Sequence, residues 1–480
     1  MLIDRLVDYN KSGVLPMHMP GHKRNAALLG DALPYGIDIT EIDGFDDLHD
    51  AHGVLKDTAD LAACLYGCQR AFPLVNGATG GILAAVYAVC RPGDTVILAR
   101  NCHKSVYNAV LTSGLRPVYL LPEADALSGV AGSVTPESVA RAIEANPGAK
   151  LVVVTSPTYE GVVSDIKGVC GATHRHGIPV LVDAAHGAHL GFSEAFPPDA
   201  ARCGADIVVT SLHKTLPALT QCALALLNPG RVDEGRFRAA LSIFQTSSPS
   251  YVLLASIDTC LRLLSDDGAR LFAAYAGNLA AFDGRAAALK RLRVLCHGAD
   301  SLPAHPGFFG FDPGKLVVET RGTALTGPAL LALLRSKYKI ELEMAYTDYA
   351  VAMTSLCDGP DAFRRLSDAL CQIDRDAGSP AGAERPRPTL KALPHQAMTP
   401  YEAAALAGES RPLTQAEGFI ALEYAWAYPP GIPFLVPGEV IGGGTLALIR
   451  ELQAAGLQLK STTGALPSGI YCAAPARTYL

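Results

Sequence analysis

The chain has 480 residues, of which 49% are hydrophobic and 18% charged, and its formal net charge is −6 at pH 7. This length predicts more than one domain, and the hydrophobic fraction is sufficient for sizeable cores. The weakly negative charge gives no basic field for nucleic acid or an anionic membrane, and it favours cationic ligands slightly.

The first residues of the chain and its cysteines predict the cellular compartment of the protein. Residues 1–10 place acids inside an amphipathic helical pattern, unlike the basic and apolar regions of a signal peptide. Most of the twelve cysteines lie within apolar runs, as buried free thiols do in a reducing compartment. Cys64 and Cys68 have helical spacing, but no second ligand pair follows, so we predict core thiols and no metal. These patterns predict a cytoplasmic protein.

Two loops before residue 60 are rich in ionisable side chains. Residues 17–24 place histidine, lysine and arginine around a Pro-Gly pair, and residues 38–50 contain six acids. Composition alone predicts that both are solvated loops.

Residues 71–75 predict a strand that ends in a glycine-rich turn at residues 76–81, before an apolar helix. Free N–H groups and the helix dipole make such a turn a candidate phosphate site. The glycines lack the GxGxxG spacing, which argues against a dinucleotide-binding oxidoreductase. The next strand, residues 95–99, leads to His103, which can cap the following helix.

Three apolar runs at residues 151–155, 178–183 and 205–210 are separated by helix-sized segments. This pattern is typical of buried parallel strands covered on both faces. Ligands on such sheets bind beyond the carboxyl ends of the strands. The side chains expected in that crevice are Asp183, Ser211, His213 and Lys214.

A lysine at the end of a buried strand can form a Schiff base, because desolvation favours its neutral amine. Pyridoxal phosphate needs such a lysine for its aldehyde, a carboxylate for its ring nitrogen and hydroxyl or N–H donors for its phosphate. Lys214, Asp183 and Ser211 match these needs in turn. Singly, each is better explained as a solvated or strand-end residue; together they predict a pyridoxal-phosphate site.

Beyond residue 214 the pattern divides the chain further. Residues 222–227 predict another strand, and helices between about residues 267 and 293 are expected to close a large domain. Strands at residues 315–320, 340–344 and 349–354, with a helix at residues 328–337, then predict a small α/β domain, followed by a proline-rich linker. The predicted units are an N-terminal arm (1–60), a large domain (61–295), a small domain (296–375), a linker (376–395) and a C-terminal domain (396–480).

The segments Ser-Pro-Thr-Tyr-Glu-Gly at 156–161, Val-Asp-Ala-Ala-His-Gly-Ala-His at 182–189 and Ser-Leu-His-Lys-Thr-Leu at 211–216 resemble the Orn/Lys/Arg decarboxylase family of fold-type I pyridoxal-phosphate enzymes. Residues 428–439 resemble its C-terminal signature. The resemblance implies an α/β fold with a mainly parallel sheet, in which the strand at residues 222–227 is antiparallel, and a smaller C-terminal α/β domain. At one position the chain departs from the family, where Ala184 replaces a usual glutamate.

The resemblance also implies roles for individual residues. It places a histidine over the cofactor ring, two residues of the glycine-rich turn at the phosphate, and two loop hydroxyls at the phosphate of a partner subunit. The implied cofactor contacts are Ala78, Thr79, Asp183, His103, His186, Ser211, His213, Lys214, Thr246 and Ser247, and the implied catalytic set is Lys214, Asp183, His103 and His213. Such sharing predicts a homodimer or larger homo-oligomer. Helix capping is the alternative for the two loop hydroxyls.

The implied reaction is decarboxylation of a basic amino acid in polyamine synthesis. Arginine is the first choice, because short relatives like this chain are commonly arginine decarboxylases; lysine and ornithine stay open. A cationic substrate needs a carboxylate partner. The predicted candidates are Glu41, Asp46, Asp47 and Glu439, with Glu160 as the next. Glu439 can instead order the proline-rich turns around it.

Two other functions fit parts of the pattern. An aminotransferase would share the lysine and the fold, and would need a clamp for the α-carboxylate, for which Arg321 is the one loosely placed candidate. A regulatory relative without catalysis is disfavoured because Lys214, Asp183 and the glycine-rich turn are all present.

Overall fold

The computed structural model describes residues 1–379, 388–428 and 431–475. Part of the predicted linker, residues 380–387, and residues 429–430 of the C-terminal signature lie outside the described residues. A seven-stranded sheet dominates the first half, and smaller sheets follow. The predicted α/β fold with a mainly parallel large sheet is confirmed.

Short apolar strands form the large sheet. As far as residue 227 the strands are β1 (Arg70–Leu74), β2 (Thr95–Ala99), β3 (Arg116–Leu120), β4 (Ala149–Thr155), β5 (Val162–Val163), β6 (Val180–Asp183), β7 (Ile207–Ser211) and β8 (Ala223–Leu227). The sheet order is β1-β8-β7-β6-β4-β2-β3. The strands β3, β2, β4, β6 and β7 pair in parallel, and β8 is antiparallel to β7 and β1, as predicted. Every residue of β6, β7 and β8 is buried.

Helices accompany these strands and cover the sheet. They are α1 (Leu2–Lys11), α2 (Ala26–Leu29), α3 (Val54–Tyr66), α4 (Gly77–Val89), α5 (Lys104–Thr112), α6 (Pro136–Ala145), α7 (Ile166–His174), α8 (Leu212–Thr215), α9 (Glu234–Phe244) and α10 (Tyr251–Ala286). The last of these spans 36 residues and covers most of the region predicted to close the large domain. Its buried apolar residues keep helical spacing through Leu254, Ile257 and Leu261.

The next region has a four-stranded antiparallel sheet. Its elements are β9 (Arg293–Val294), β10 (Gly310–Phe311), β11 (Lys315–Glu319), α11 (Gly327–Leu333), β12 (Met344–Ala345), β13 (Tyr349–Met353) and α12 (Pro360–Asp376). The sheet order is β12-β13-β11-β9, while β10 pairs with β5 of the first half. A strand was predicted at residues 340–344, but it begins only at Met344, because a π-helical turn occupies Leu334–Tyr338 first.

The C-terminal region has two three-stranded sheets around its own apolar core. Its elements are α13 (Pro400–Ala404), β14 (Glu409–Pro412), β15 (Phe419–Ala421), β16 (Ala425–Tyr428), β17 (Pro433–Leu435), α14 (Gly443–Ala454), β18 (Gln458–Ser461) and β19 (Gly469–Pro475). Among the described residues, no helix has the length and apolar character needed to cross a membrane.

Candidate active site

Polar side chains collect where β6 and β7 end, as expected for adjacent parallel strands. Asp183 is the last residue of β6 and is only 2% exposed. β7 ends at Ser211, and the one-turn helix α8 follows at once with His213 and Lys214. The backbone N–H of Leu212 donates to the carbonyl of Cys222 at 3.0 Å, which fixes α8 against the returning chain.

Lys214 points its amine into a largely buried position. Its Nζ lies 3.0 Å from Nε2 of His186. Burial lowers the pKa of Lys214, and the carboxylates of Asp183 and Glu343 oppose that shift. A lysine with a lowered pKa is more often neutral, and a neutral amine is the form that attacks a carbonyl.

His186 joins Lys214 to a residue that the sequence did not single out. The other ring nitrogen of His186, Nδ1, lies 2.9 Å from Nζ of Lys315, the first residue of β11. The ring of Tyr159 packs against the imidazole with centroids 4.5 Å apart. Burial, followed by the charges of Lys315 and Lys214, lowers the pKa of His186 well below its usual value. The imidazole is therefore neutral.

His103 lies at the start of α5 and is within electrostatic range of the same group. Its Nδ1 accepts a hydrogen bond from the backbone N–H of Ser105 at 3.2 Å, so the predicted helix cap is present. Burial lowers the pKa of His103, and the charge of Asp183 opposes this shift. Its position over a bound ring stays a prediction.

The glycine-rich turn opens α4 as a ready anion site. Asn76 precedes the helix without a side-chain cap, so the first-turn N–H groups, including those of Ala78 and Thr79, have no intrahelical acceptor. A Cβ on Gly81 would lie 2.6 Å from Leu74 and 2.9 Å from Val209. Glycine there lets the helix N-terminus approach the sheet end closely.

Ala184 stands where the family pattern has a glutamate, and its side chain is buried at 2% exposure. Its carbonyl accepts from the hydroxyl of Thr210 at 3.0 Å, and its N–H donates to Val209 at 2.9 Å. The strand end is thus held by backbone contacts. A glutamate at this position would need a partner for one more buried carboxylate.

The predicted acidic residues of the N-terminal arm lie beside the loop that holds Thr246 and Ser247. Asp46 accepts hydrogen bonds from the N–H groups of His52, Gly53 and Leu55 at 2.8–3.0 Å. Burial alone would raise the pKa of Asp46, but these backbone bonds outweigh it and lower the pKa. Asp46 therefore orders the start of α3.

The other two predicted acids, Asp47 and Glu41, make different contacts from Asp46. Asp47 accepts from the N–H of His49 at 2.8 Å. Glu41 lies 3.5 Å from the hydroxyl of Ser248, and its other oxygen is buried with no partner among the described residues. Of the three acids, Glu41 keeps the most capacity for a cation. Thr246 and Ser247 are exposed on this chain.

Glu439 lies in an ion pair that joins the C-terminal region to the large domain. Its Oε2 accepts from Arg100 at 3.0 Å and from the N–H of Val436 at 2.8 Å, and both charged side chains are at most 2% exposed. An uncompensated buried charge costs about 3–5 kcal/mol, so this pair is held firmly. The placement favours the predicted alternative, in which Glu439 orders the turns.

Two other carboxylates act on the lysines of the site: Glu343 raises the pKa of Lys214, and Glu343 and Glu160 both raise the pKa of Lys315. Glu160 accepts from the hydroxyl of Tyr349 at 2.9 Å, and Glu343 accepts from the hydroxyl of Tyr159. Glu343 is exposed and acts on the pKa of Lys214, which places a negative charge at the rim of the site. Sequence reasoning missed Glu343, because nothing in its local pattern links it to the strand ends.

Arg321, the predicted clamp for an aminotransferase, donates to Asp348 at 2.7 Å. Its charge is already paired with a carboxylate. The structure therefore gives the aminotransferase alternative no support from this residue.

Comparison with known proteins decides the family. A family model described as "Orn/Lys/Arg decarboxylase, major domain" matches residues 2–282, and the C-terminal domain model of the same family matches residues 384–461. The chain belongs to the Orn/Lys/Arg decarboxylase family. It is accordingly a decarboxylase, as the sequence predicted.

Individual relatives agree with this family. An arginine decarboxylase of Bacillus subtilis is 34% identical over 451 residues, which is 92% of this chain and 91% of the relative. The solved lysine decarboxylase of Francisella novicida aligns with a TM-score of 0.82 at 20% identity, covering 98% of this chain and 80% of that one. A ureidoglycine–glyoxylate aminotransferase of Bacillus subtilis aligns with a TM-score of 0.52 at 17% identity, covering 69% and 87%. The Orn/Lys/Arg decarboxylase fold thus extends over nearly the whole chain.

Proposed function

We propose that this decarboxylase uses pyridoxal phosphate and acts on arginine, with Lys214 as the cofactor-binding lysine. One observation carries the chemistry: the amine of Lys214 is desolvated beside His186 and within range of the buried carboxylate of Asp183. The choice of arginine is supported by the relative named arginine decarboxylase, which matches this chain over 92% of its length.

The residues present fit the cofactor. A neutral lysine amine, a buried carboxylate and the N-terminus of α4 are the three groups that pyridoxal phosphate requires. When bound, pyridoxal phosphate supplies an aldehyde for amines and a protonated ring that takes up the electron pair left by CO2. Lys214 would hold the aldehyde carbon, and Ala78, Thr79 and Ser211 would donate to the phosphate.

Asp183 would hold a proton on the ring nitrogen. Its carboxylate already accepts from the N–H of Ala185 at 3.1 Å, which fixes its orientation at the end of β6. His103 would cover one face of the ring and keep water from it. Each of these roles requires only that the side chain stay where the fold places it.

A cationic substrate side chain needs an acceptor near the mouth of the site. We assign this role to Glu343, because it is exposed, negatively charged and within electrostatic range of Lys214. A planar guanidinium can donate to a carboxylate through two N–H groups at once, which favours arginine over an ammonium substrate. Glu41 is the competing candidate from the N-terminal arm.

The test is an assay of purified protein on arginine, lysine and ornithine in parallel, with CO2 and amine both measured. We expect equal amounts of CO2 and amine, with the largest kcat/KM for arginine. A keto acid in place of the amine would identify an aminotransferase. A larger kcat/KM for lysine or ornithine would contradict the substrate assignment.

Glu343→Gln should raise KM for arginine about tenfold or more, because a charge-assisted hydrogen bond is lost. Bound cofactor should be unaffected. Glu341→Gln is the matched control, since Glu341 is exposed two residues away and pairs with Arg335. If Glu41→Gln raises KM and Glu343→Gln does not, the substrate cation binds at the N-terminal arm instead.

The homodimer with shared sites, the cytoplasmic location and the role in polyamine synthesis stay predictions. The exposed hydroxyls of Thr246 and Ser247 are compatible with a partner subunit's site. Sedimentation of the purified protein measures its mass, and a monomer with full activity would refute the sharing of sites.

A further inference from the structure

A second lysine, Lys315, lies on the opposite side of His186 from Lys214. Lys315 begins β11 in the small sheet and is 1% exposed. Its Nζ lies 2.9 Å from Nδ1 of His186, and Nε2 of that ring lies 3.0 Å from Nζ of Lys214. One imidazole therefore connects two amines that come from different sheets.

The hydrogen bonds that join Lys214, His186 and Lys315 limit the total charge of these three side chains. A neutral imidazole has one N–H donor and one lone pair. Both contacts of His186 are therefore satisfied when one lysine donates as an ammonium and the other accepts as a neutral amine. Because the charges and burial around His186 keep its ring neutral, the three side chains carry at most one positive charge between them.

Lys315 is held in place by its surroundings. Its stem passes over Gly161, where an added Cβ would lie 2.8 Å from Cβ and Cγ of Lys315, and Gly161 has a φ of +104°. Its backbone N–H donates to the carbonyl of Asp312 at 3.0 Å. The amine can therefore reach His186 only because residue 161 has no side chain.

The charges that face Lys315 come from several elements. Burial lowers the pKa of Lys315 to about 8, and the positive charge of Lys214 lowers it further. The negative charge of Asp312 raises the pKa of Lys315. Glu343 and Glu160 also raise it, but more weakly. Asp312 is itself paired with His189 at 3.0 Å. A group with this pKa gains and loses a proton near neutral pH.

We propose that Lys315 is a positioning residue that sets the protonation state of Lys214 through His186. A proton leaves Nζ of Lys214 and bonds to Nε2 of His186, while the proton on Nδ1 of His186 passes to Nζ of Lys315. One N–H bond breaks and one forms at each transfer, and the net charge is unchanged. Above the pKa of Lys315, about 8, its amine is free to accept this proton, and the transfer leaves Lys214 neutral. The inference rests on the proposed role of Lys214.

The test uses the cofactor-free protein and needs no turnover. Trace acetic anhydride is added over a range of pH, and acetylation of the Lys214 peptide is measured by mass spectrometry. In Lys315→Met, which keeps an apolar stem and removes the ammonium, the midpoint for Lys214 should rise by on the order of one pH unit. Its reactivity at pH 8 should fall by up to about tenfold.

Lys150→Met is the control, since Lys150 is exposed in β4. In this variant the pH midpoint for acetylation of Lys214 should match that of the wild type. Gly161→Ala should shift the midpoint in the same direction as Lys315→Met, because it displaces the stem of Lys315, and it supplies the measurement if Lys315→Met does not fold. A purely structural role would lower the unfolding temperature and leave the midpoint unchanged. An unchanged midpoint in a folded variant overturns the proposal, whatever the decarboxylation assay shows.

Discussion

Lys214→Ala should lose decarboxylation almost completely, with kcat reduced by on the order of 10⁴-fold or more, as when a catalytic nucleophile is removed. The cause is the loss of the amine that lies 3.0 Å from His186 at the ends of the central strands. The fold should survive, because α8 is fixed by backbone bonds to Cys222.

Two measurements on Lys214→Ala check this result. The first is turnover with arginine, and the second is the visible absorbance of the protein after pyridoxal phosphate has been added. Lys150→Ala serves as the control, since Lys150 is an exposed lysine in β4 of the large sheet. Retention of the cofactor absorbance by Lys214→Ala would show that another lysine holds the cofactor.

Asp183→Asn should cost on the order of several kcal/mol of transition-state stabilisation while cofactor stays bound, because the carboxylate acts on charge that develops during the reaction. The amide keeps an oxygen for the N–H of Ala185, so the end of β6 should not move. The measurement is kcat at saturating arginine and cofactor.

Asp199→Asn is a suitable control, since Asp199 is also buried and its carboxylate accepts from the N–H of Ala201 at 2.7 Å. It should change stability more than kcat. Near-normal turnover of Asp183→Asn with bound cofactor would contradict the assigned role of Asp183.

The central strands were predictable because their signal is local. Continuous apolar runs that end in Asp183 and Ser211 can be recognised residue by residue, and parallel pairing follows from their spacing. His186 was named only through the family resemblance, although it lies three residues beyond the end of β6. Local reasoning also predicted the glycine-rich turn before α4.

The missed residues have no such local signal. Lys315 begins β11 of a different sheet, and Glu343 directly precedes β12 of that sheet. Only the tertiary packing brings them to Lys214 and His186. The capping role of Asp46 was equally hidden, because it depends on a φ of +72° and on N–H groups six to nine residues ahead. The acidity of that segment therefore suggested substrate binding, although one of its acids orders the backbone.

The most direct measurement is CO2 release from arginine by protein stripped of pyridoxal phosphate and then supplied with it. We expect no release from the stripped protein, and release in equal amount with the amine once the cofactor is restored. Release that does not depend on the cofactor, or a keto acid product in the restored protein, would contradict the account.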